Sequence, residues 1–150
     1  MKRTLLLFAT LLLFAASALA QVSVKDPWVR ATVTHQKSTA AYMQLQSPGD
    51  VRLVEAKSPV ARIVEIHEMT MDNNVMKMRA IPGIDLAAGK TVELKPGGYH
   101  VMLTDLRQQI KAGDSVPITL VFQGKDKKRE TVEVQAPARA INAPQSEMKH

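Results

Sequence analysis

Apolar and polar positions alternate in short runs along residues 22–135, and turn residues separate the runs. Side chains of a strand point to opposite faces at every second position, so this pattern predicts half-buried strands and not helices. The runs are Val22–Val24, Val29–Val33, Ala40–Gln46, Arg52–Ala56, Ile63–Met71, Val75–Ala80, Thr91–Leu94, Tyr99–Leu103, Val116–Phe122 and Glu130–Gln135. Between them stand Pro48-Gly49-Asp50, Asp72-Asn73-Asn74, Pro82-Gly83, Pro96-Gly97-Gly98 and Gly124-Lys125-Asp126, all turn-forming combinations. Asp105–Lys111 is the one stretch that suits a short helical turn, and Leu86–Lys90 is expected to be a loop. The expected fold is all-β, a sandwich of about eight strands.

Residues 1–20 differ from everything that follows. Met1-Lys2-Arg3 is basic, Leu5–Ala16 is an apolar run of twelve residues, and Ala18-Leu19-Ala20 fits a small-x-small cleavage site. These are the three parts of a secretory signal, and the run is short of the roughly 18 residues that span a bilayer. The expectation is a chain exported to the periplasm with its mature form starting at Gln21, one domain over residues 21–136, and a flexible tail over 137–150, where Pro137 and Pro144 interrupt a stretch without apolar period. No membrane anchor is expected once the signal is removed.

Composition narrows the chemistry. There is no cysteine, which removes disulfides, thiolate catalysis and a lipid-bearing cysteine together. Without the signal, 18 basic residues stand against 14 acidic ones, and the lone Trp and two Tyr do not interleave with the basic positions, so a nucleic-acid surface is not indicated. The Lys125–Arg129 cluster lies between two strand candidates and reads as a charged hairpin tip. No grouping of serine, histidine and carboxylates suggests an enzyme.

Methionine is the exception. Four of the eight, Met69, Met71, Met76 and Met78, fall within ten residues. If Asn73-Asn74 is a two-residue hairpin turn, Asp72 pairs with Val75, Met71 faces Met76, Met69 faces Met78, and His67 lies diagonal to Met78, all on one face of the ribbon. His100 and Met102 share a face in the same way. Two readings stay open from spacing alone: flexible core filling, which methionine does well, or a site for a soft metal ion. In the second reading thioethers select Cu(I), because zinc takes thiolate, carboxylate or more imidazole, and calcium takes oxygen.

The ligand spacing resembles the signature of the periplasmic PCu(A)C-type copper chaperones: a histidine, ten residues, a methionine, twenty-one residues, then histidine-x-methionine. His67, Met78, His100 and Met102 fit it without a gap. The resemblance extends from Pro27-Trp28-Val29-Arg30-Ala31-Thr32 through Ala41-Tyr42 and Pro96–Leu103 to Leu120-Val121-Phe122. It implies a cupredoxin-like β-sandwich and a monomer that binds one Cu(I) per chain through His67, Met78, His100 and Met102. It also implies delivery to the copper centre of cytochrome oxidase or to a Sco-type partner; an envelope copper store without a dedicated acceptor is the alternative.

Several other residues carry expectations of their own. Met69, Met71 and Met76 form either a soft rim or plain packing. Trp28 is expected in the core, Glu68 in solvent, and His35 in a loop. Met148 and His150 either assist a second copper or belong to the tail. Arg107-Gln108-Gln109-Ile110 departs from a commoner basic, proline-containing stretch of the family, which bears on partner choice.

Overall fold

A computed structural model of the protein describes residues 21–140. It contains ten strands and no helix among these residues: β1 (Ser23–Arg30), β2 (Ser38–Gln46), β3 (Val51–Lys57), β4 (Ala61–Asp72), β5 (Val75–Ala80), β6 (Ile84–Leu86), β7 (Thr91–Leu94), β8 (His100–Leu106), β9 (Ser115–Gly124) and β10 (Arg129–Arg139). The all-β expectation is met, with ten strands in place of about eight.

Neighbouring strands follow the order β5-β4-β8-β2-β1-β10-β9-β3-β6 on an open path, and β7 pairs with β2 beyond β8. The two halves of this path join where β1 runs parallel to β10, with Val29 opposite Ala138 and Arg30 opposite Arg139. The other strand pairs are antiparallel. One apolar core takes side chains from both halves: Val29, Ala41, Met43, Leu45, Val101 and Leu103 from one, Leu53, Ile118, Leu120 and Phe122 from the other. That is the sandwich the alternation predicts: strands such as β8 and β9 send alternate residues into this core, while β5 is exposed at every position.

The differences from expectation have local causes. Val22–Val24 and Val29–Val33 are not separate elements: β1 runs through both sites with an irregularity between Lys25 and Trp28, where Asp26 takes a φ of 48°. A bulge lets the strand lose register and regain it without ending. Ile84–Leu86, placed at the edge of the expected loop, pairs with β3 and buries Ile84 and Leu86. Asp105–Lys111 forms no helical turn; Asp105 and Leu106 finish β8, and Leu106 and Ile110 are drawn into the core. The start of the expected tail is also ordered, since β10 continues to Arg139 with Ala138 buried against β1. The expected signal at 1–20 and Met148 and His150 of the expected tail lie outside the described residues.

The core side of the sheet fixes what the other side carries. On β8, Val101 and Leu103 are fully buried inward, so His100 and Met102 emerge on the outer face; on β4, Ile66 points inward, so Glu65 and His67 point outward.

A candidate metal site on the outer face of the sheet

Three adjacent strands build the site. The Asn73-Asn74 turn has φ values of 49° and 63°, the pair of left-handed positions a two-residue hairpin of this hand requires, and asparagine tolerates them. The turn sets the β4–β5 register as read from the sequence: Asp72 opposite Val75, Met71 opposite Met76, Met69 opposite Met78. On the other edge of β4, His67 stands directly opposite His100 of β8, and Glu65 opposite Met102. Glu65, His67, Met69, Met78, His100 and Met102 therefore share one face.

A loop closes over part of this face. β7 and β8 both pair with β2, and the chain between them leaves the sheet at Lys95 and returns at Tyr99 through a tight turn held by Gly98 N–H donating to the Lys95 carbonyl at 2.9 Å. Gly97, at a φ of 85°, is the position that needs glycine. The turn and the sheet together enclose an open cleft of about 360 Å³, lined by Met69, Met78, His100 and Met102 on the donor side, by Arg30 and Tyr42 on the other, with Pro96 and Gly97 at the lip.

The two histidines are held by different atoms. His100 Nδ1 lies 3.1 Å from the Gly98 carbonyl oxygen. A carbonyl only accepts, so Nδ1 carries the hydrogen of the neutral ring and Nε2 keeps its lone pair. Nε2 in turn lies 3.1 Å from the Met78 sulfur. Two lone-pair donors thus face each other with no hydrogen between them. A first-row ion held at about 2.0 Å from nitrogen and about 2.3 Å from sulfur sets the two about 3.5 Å apart at a tetrahedral angle, so the observed separation suits a shared ion after a few tenths of an ångström of movement. Burial holds the His100 imidazole below the ordinary histidine range; the Gly98 carbonyl opposes this shift and the neighbouring His67 adds to it.

His67 is buried and does not line the cleft; its ring centroid is 5.6 Å from that of His100. Its Nε2 is 2.9 Å from Glu65 Oε2. The carboxylate accepts from Nε2–H, which leaves the lone pair on Nδ1, and Nδ1 is buried without a partner. An orphaned buried nitrogen beside the donor cluster is the feature a metal ion would satisfy.

Of the four expected ligands, Met78, His100 and Met102 meet in one cleft, and His67 stands beside them with one free ring nitrogen. Met69 joins the lining. Met71 and Met76, 63% and 45% exposed, lie farther out on the hairpin, away from the core. Among the described residues no group of three or more histidines, cysteines or carboxylates gathers as a metal site; the donors lining this cleft are one imidazole and three thioethers.

Glu65 escaped the sequence reading, although it precedes His67 by two residues and the same period that grouped the methionines places it on this face. Trp28 is not in the core: it lies half-buried on the outer face, with its ring 4.7 Å from Tyr42 and the Arg139 guanidinium 5.3 Å above it. Glu68 is paired with Arg79 and not simply solvated. His35 sits in a loop as expected.

Comparison with known proteins agrees with this architecture. Residues 22–138 match the family described as LpqE-like, a lipoprotein family by its description. A protein of Rickettsia prowazekii, RP573, is 32% identical over 121 residues, covering 77% of this chain and 67% of its own length. A Leifsonia xyli protein named as a lipoprotein, Lxx21020, is 31% identical over 102 residues; the match spans 61% of that relative's length. Among solved structures, the copper-bound PCuAC domain from PmoF2 superposes with a TM-score of 0.64 at 26% identity, covering 82% of this chain and 96% of that one. The Cu(I) form of DR1885 from Deinococcus radiodurans does so with a TM-score of 0.59 at 33% identity, covering 83% of each. The resemblance to PCu(A)C-type domains read from the ligand spacing therefore holds at the level of the fold.

Proposed function

We propose, from the premise that the chain belongs to the LpqE-like family, that it carries copper in the cell envelope as a metallochaperone. It binds one Cu(I) through His67, Met78, His100 and Met102 and hands it to another envelope protein. The single observation that carries this reading is the pair of free donors, His100 Nε2 and Met78 Sδ, 3.1 Å apart in an open cleft. The copper-bound relatives of the same fold support it.

The chain's own residues do three things. The Gly98 carbonyl fixes which nitrogen of His100 faces the cleft, and the Glu65 carboxylate fixes which nitrogen of His67 is left without a partner. The thioethers of Met78 and Met102 supply soft, uncharged donors that do not titrate, and so prefer Cu(I) to harder ions. The β4–β5 hairpin, whose second strand is exposed along its whole length, holds Met78 on a ribbon that an acceptor reaches without unfolding the core. Four neutral donors leave the ion's positive charge uncompensated at the site, which favours release to a thiolate acceptor.

The acceptor is the copper centre of cytochrome oxidase or a Sco-type protein. Transfer rate against acceptor concentration tests this: Cu(I)-loaded protein is mixed with the apo copper-centre domain, and the rate rises with acceptor. A rate equal to spontaneous release at every acceptor concentration would identify an envelope store instead.

A further inference from the structure

Arg30 and Tyr42 line the cleft without serving as donors. Arg30 is the one formally charged side chain among the residues lining the cleft. Its guanidinium lies 5.7 Å above the Tyr42 ring, and Tyr42 in turn packs 6.3 Å from His100. Among the described residues Arg30 has no carboxylate within ion-pairing distance, whereas Arg52, Arg62, Arg79 and Arg139 each have one. A guanidinium laid on an aromatic face is held in place with its edge free to donate. Its positive charge contributes to the raised pKa of Tyr42 only as a minor opposing effect, since burial of the phenol dominates there.

An unpaired cation lining the same cleft as three thioethers and an imidazole joins a soft donor set to an anion-attracting group. We propose that Arg30 forms an anion subsite that draws a thiolate ligand into contact with Cu(I) on the donor wall. The proposal rests on the copper reading and adds to it the charge of the incoming group. In the exchange the thiol sulfur, having lost its proton to solvent, forms a bond to Cu(I), while one thioether, Met78 or Met102, leaves with its own lone pair. Copper stays Cu(I), and no electron moves. The thiolate comes either from a small thiol or from a cysteine of an acceptor protein; both present the same charged sulfur. At separations of about 6 to 12 Å and an effective dielectric of about 40, one unit charge changes the rate of an approaching anion by about three- to tenfold.

Two measurements on the full mature chain test it, and the first needs no copper. With methionine methyl groups labelled for NMR, thiosulfate is titrated into the apoprotein: saturable shifts are expected at Met78 and Met102, kept in Arg30→Lys and lost in Arg30→Gln. Absence of saturation, or equal shifts in Arg30→Gln, overturns the subsite whether or not copper binds. In the second, Cu(I)-loaded protein is mixed with mercaptosuccinate, which is anionic, or cysteamine, which is cationic, and with two-cysteine peptides flanked by aspartate or by lysine. The anionic member of each pair is expected to remove copper about three- to tenfold faster, with the ratio near one in Arg30→Gln. A preference confined to the small thiols assigns the subsite to them, and one confined to the peptides assigns it to an acceptor protein. No charge preference in either pair, or an equal slowing of every thiol in Arg30→Gln, overturns the proposal. Wild-type protein that takes up no Cu(I) sinks the copper reading alone, and the thiosulfate titration still decides the subsite.

Discussion

His67 and His100 stand directly opposite each other across the β4–β8 ladder, yet their hydrogen bonds expose different ring atoms: Nδ1 is free on one and Nε2 on the other. Their rings lie 5.6 Å apart between centroids and are tilted by 57°. The partners differ in kind as well, a carboxylate two residues back for His67 and a carbonyl two residues back for His100.

Removing that orientation is expected to weaken copper binding without changing a ligand. Glu65→Ala frees His67 to rotate or change tautomer, and the expected loss in Cu(I) affinity is about 10- to 100-fold, the range for partners that orient metal-bound histidines. Glu65→Gln, whose amide oxygen still accepts, should retain most of the affinity. Competition titration against a Cu(I) chelator measures the loss, and nitrogen chemical shifts of His67 in the apoprotein report the tautomer directly. An unchanged tautomer in Glu65→Ala contradicts the assignment.

Met78→Leu and Met102→Leu conserve volume, and Met78 is 48% exposed, so each should cost less than about 1.5 kcal/mol of stability. Each should nevertheless weaken Cu(I) binding at least tenfold and remove one sulfur from the copper absorption spectrum. Met71→Leu, farther out on the hairpin and 63% exposed, should leave equilibrium affinity within about twofold. If all three variants bind alike, the thioethers are packing.

The burial of His100 gives a sign for pH. Its folded-state pKa is lowered, so between the ordinary value of about 6.5 and the lowered one the unfolded chain binds the extra proton and the folded chain does not. Stability of the apoprotein therefore rises with pH across that window and is lost as pH falls through it. Urea midpoints at pH 7.5, 6.5 and 5.5 measure the slope, and His100→Gln should flatten it. Cu(I) affinity should fall over the same direction of pH, because a protonated imidazole has no lone pair to offer.

Gly83 offers a control remote from the copper chemistry. A Cβ there would run into the Leu53 carbonyl oxygen and the Arg52 side chain, where β3 pairs with β6. Gly83→Ala is expected to destabilise the fold by about 1 to 3 kcal/mol through forced backbone movement. The unfolding midpoint measures it, and copper affinity at a temperature where the variant is folded should be unchanged.

Much of the site was legible because strand alternation and a two-residue turn are local rules. Asn73-Asn74 fixed the hairpin register, and with it the pairing of Met69 with Met78, from a dozen consecutive residues. What alternation cannot reveal is which strand lies beside which. That β8 sits against β4, so that His100 faces His67, depends on pairing across more than thirty residues, and the family spacing rather than the periodicity pointed there. The same limit hid the role of Trp28, whose apolar ring suggested the core but whose neighbours Tyr42 and Arg139 come from distant strands. Helix and strand were confused only around Asp105–Lys111, where charged and amide residues carry no clear period and the burial of Ile110 decides the path.

The parallel joint between β1 and β10 also sets an order of events. Val29 meets Ala138 only when nearly the whole chain is present, and contacts of such long sequence separation close late because the loop entropy must be met first. The β4–β5 hairpin needs only its own two strands and turn, and hairpins form in about 1 to 10 μs. During folding, the methionine ribbon is therefore expected early and the closing of the sheet last, so a chain missing its final strand would display the soft donors on a scaffold whose two halves lack the strand that joins them.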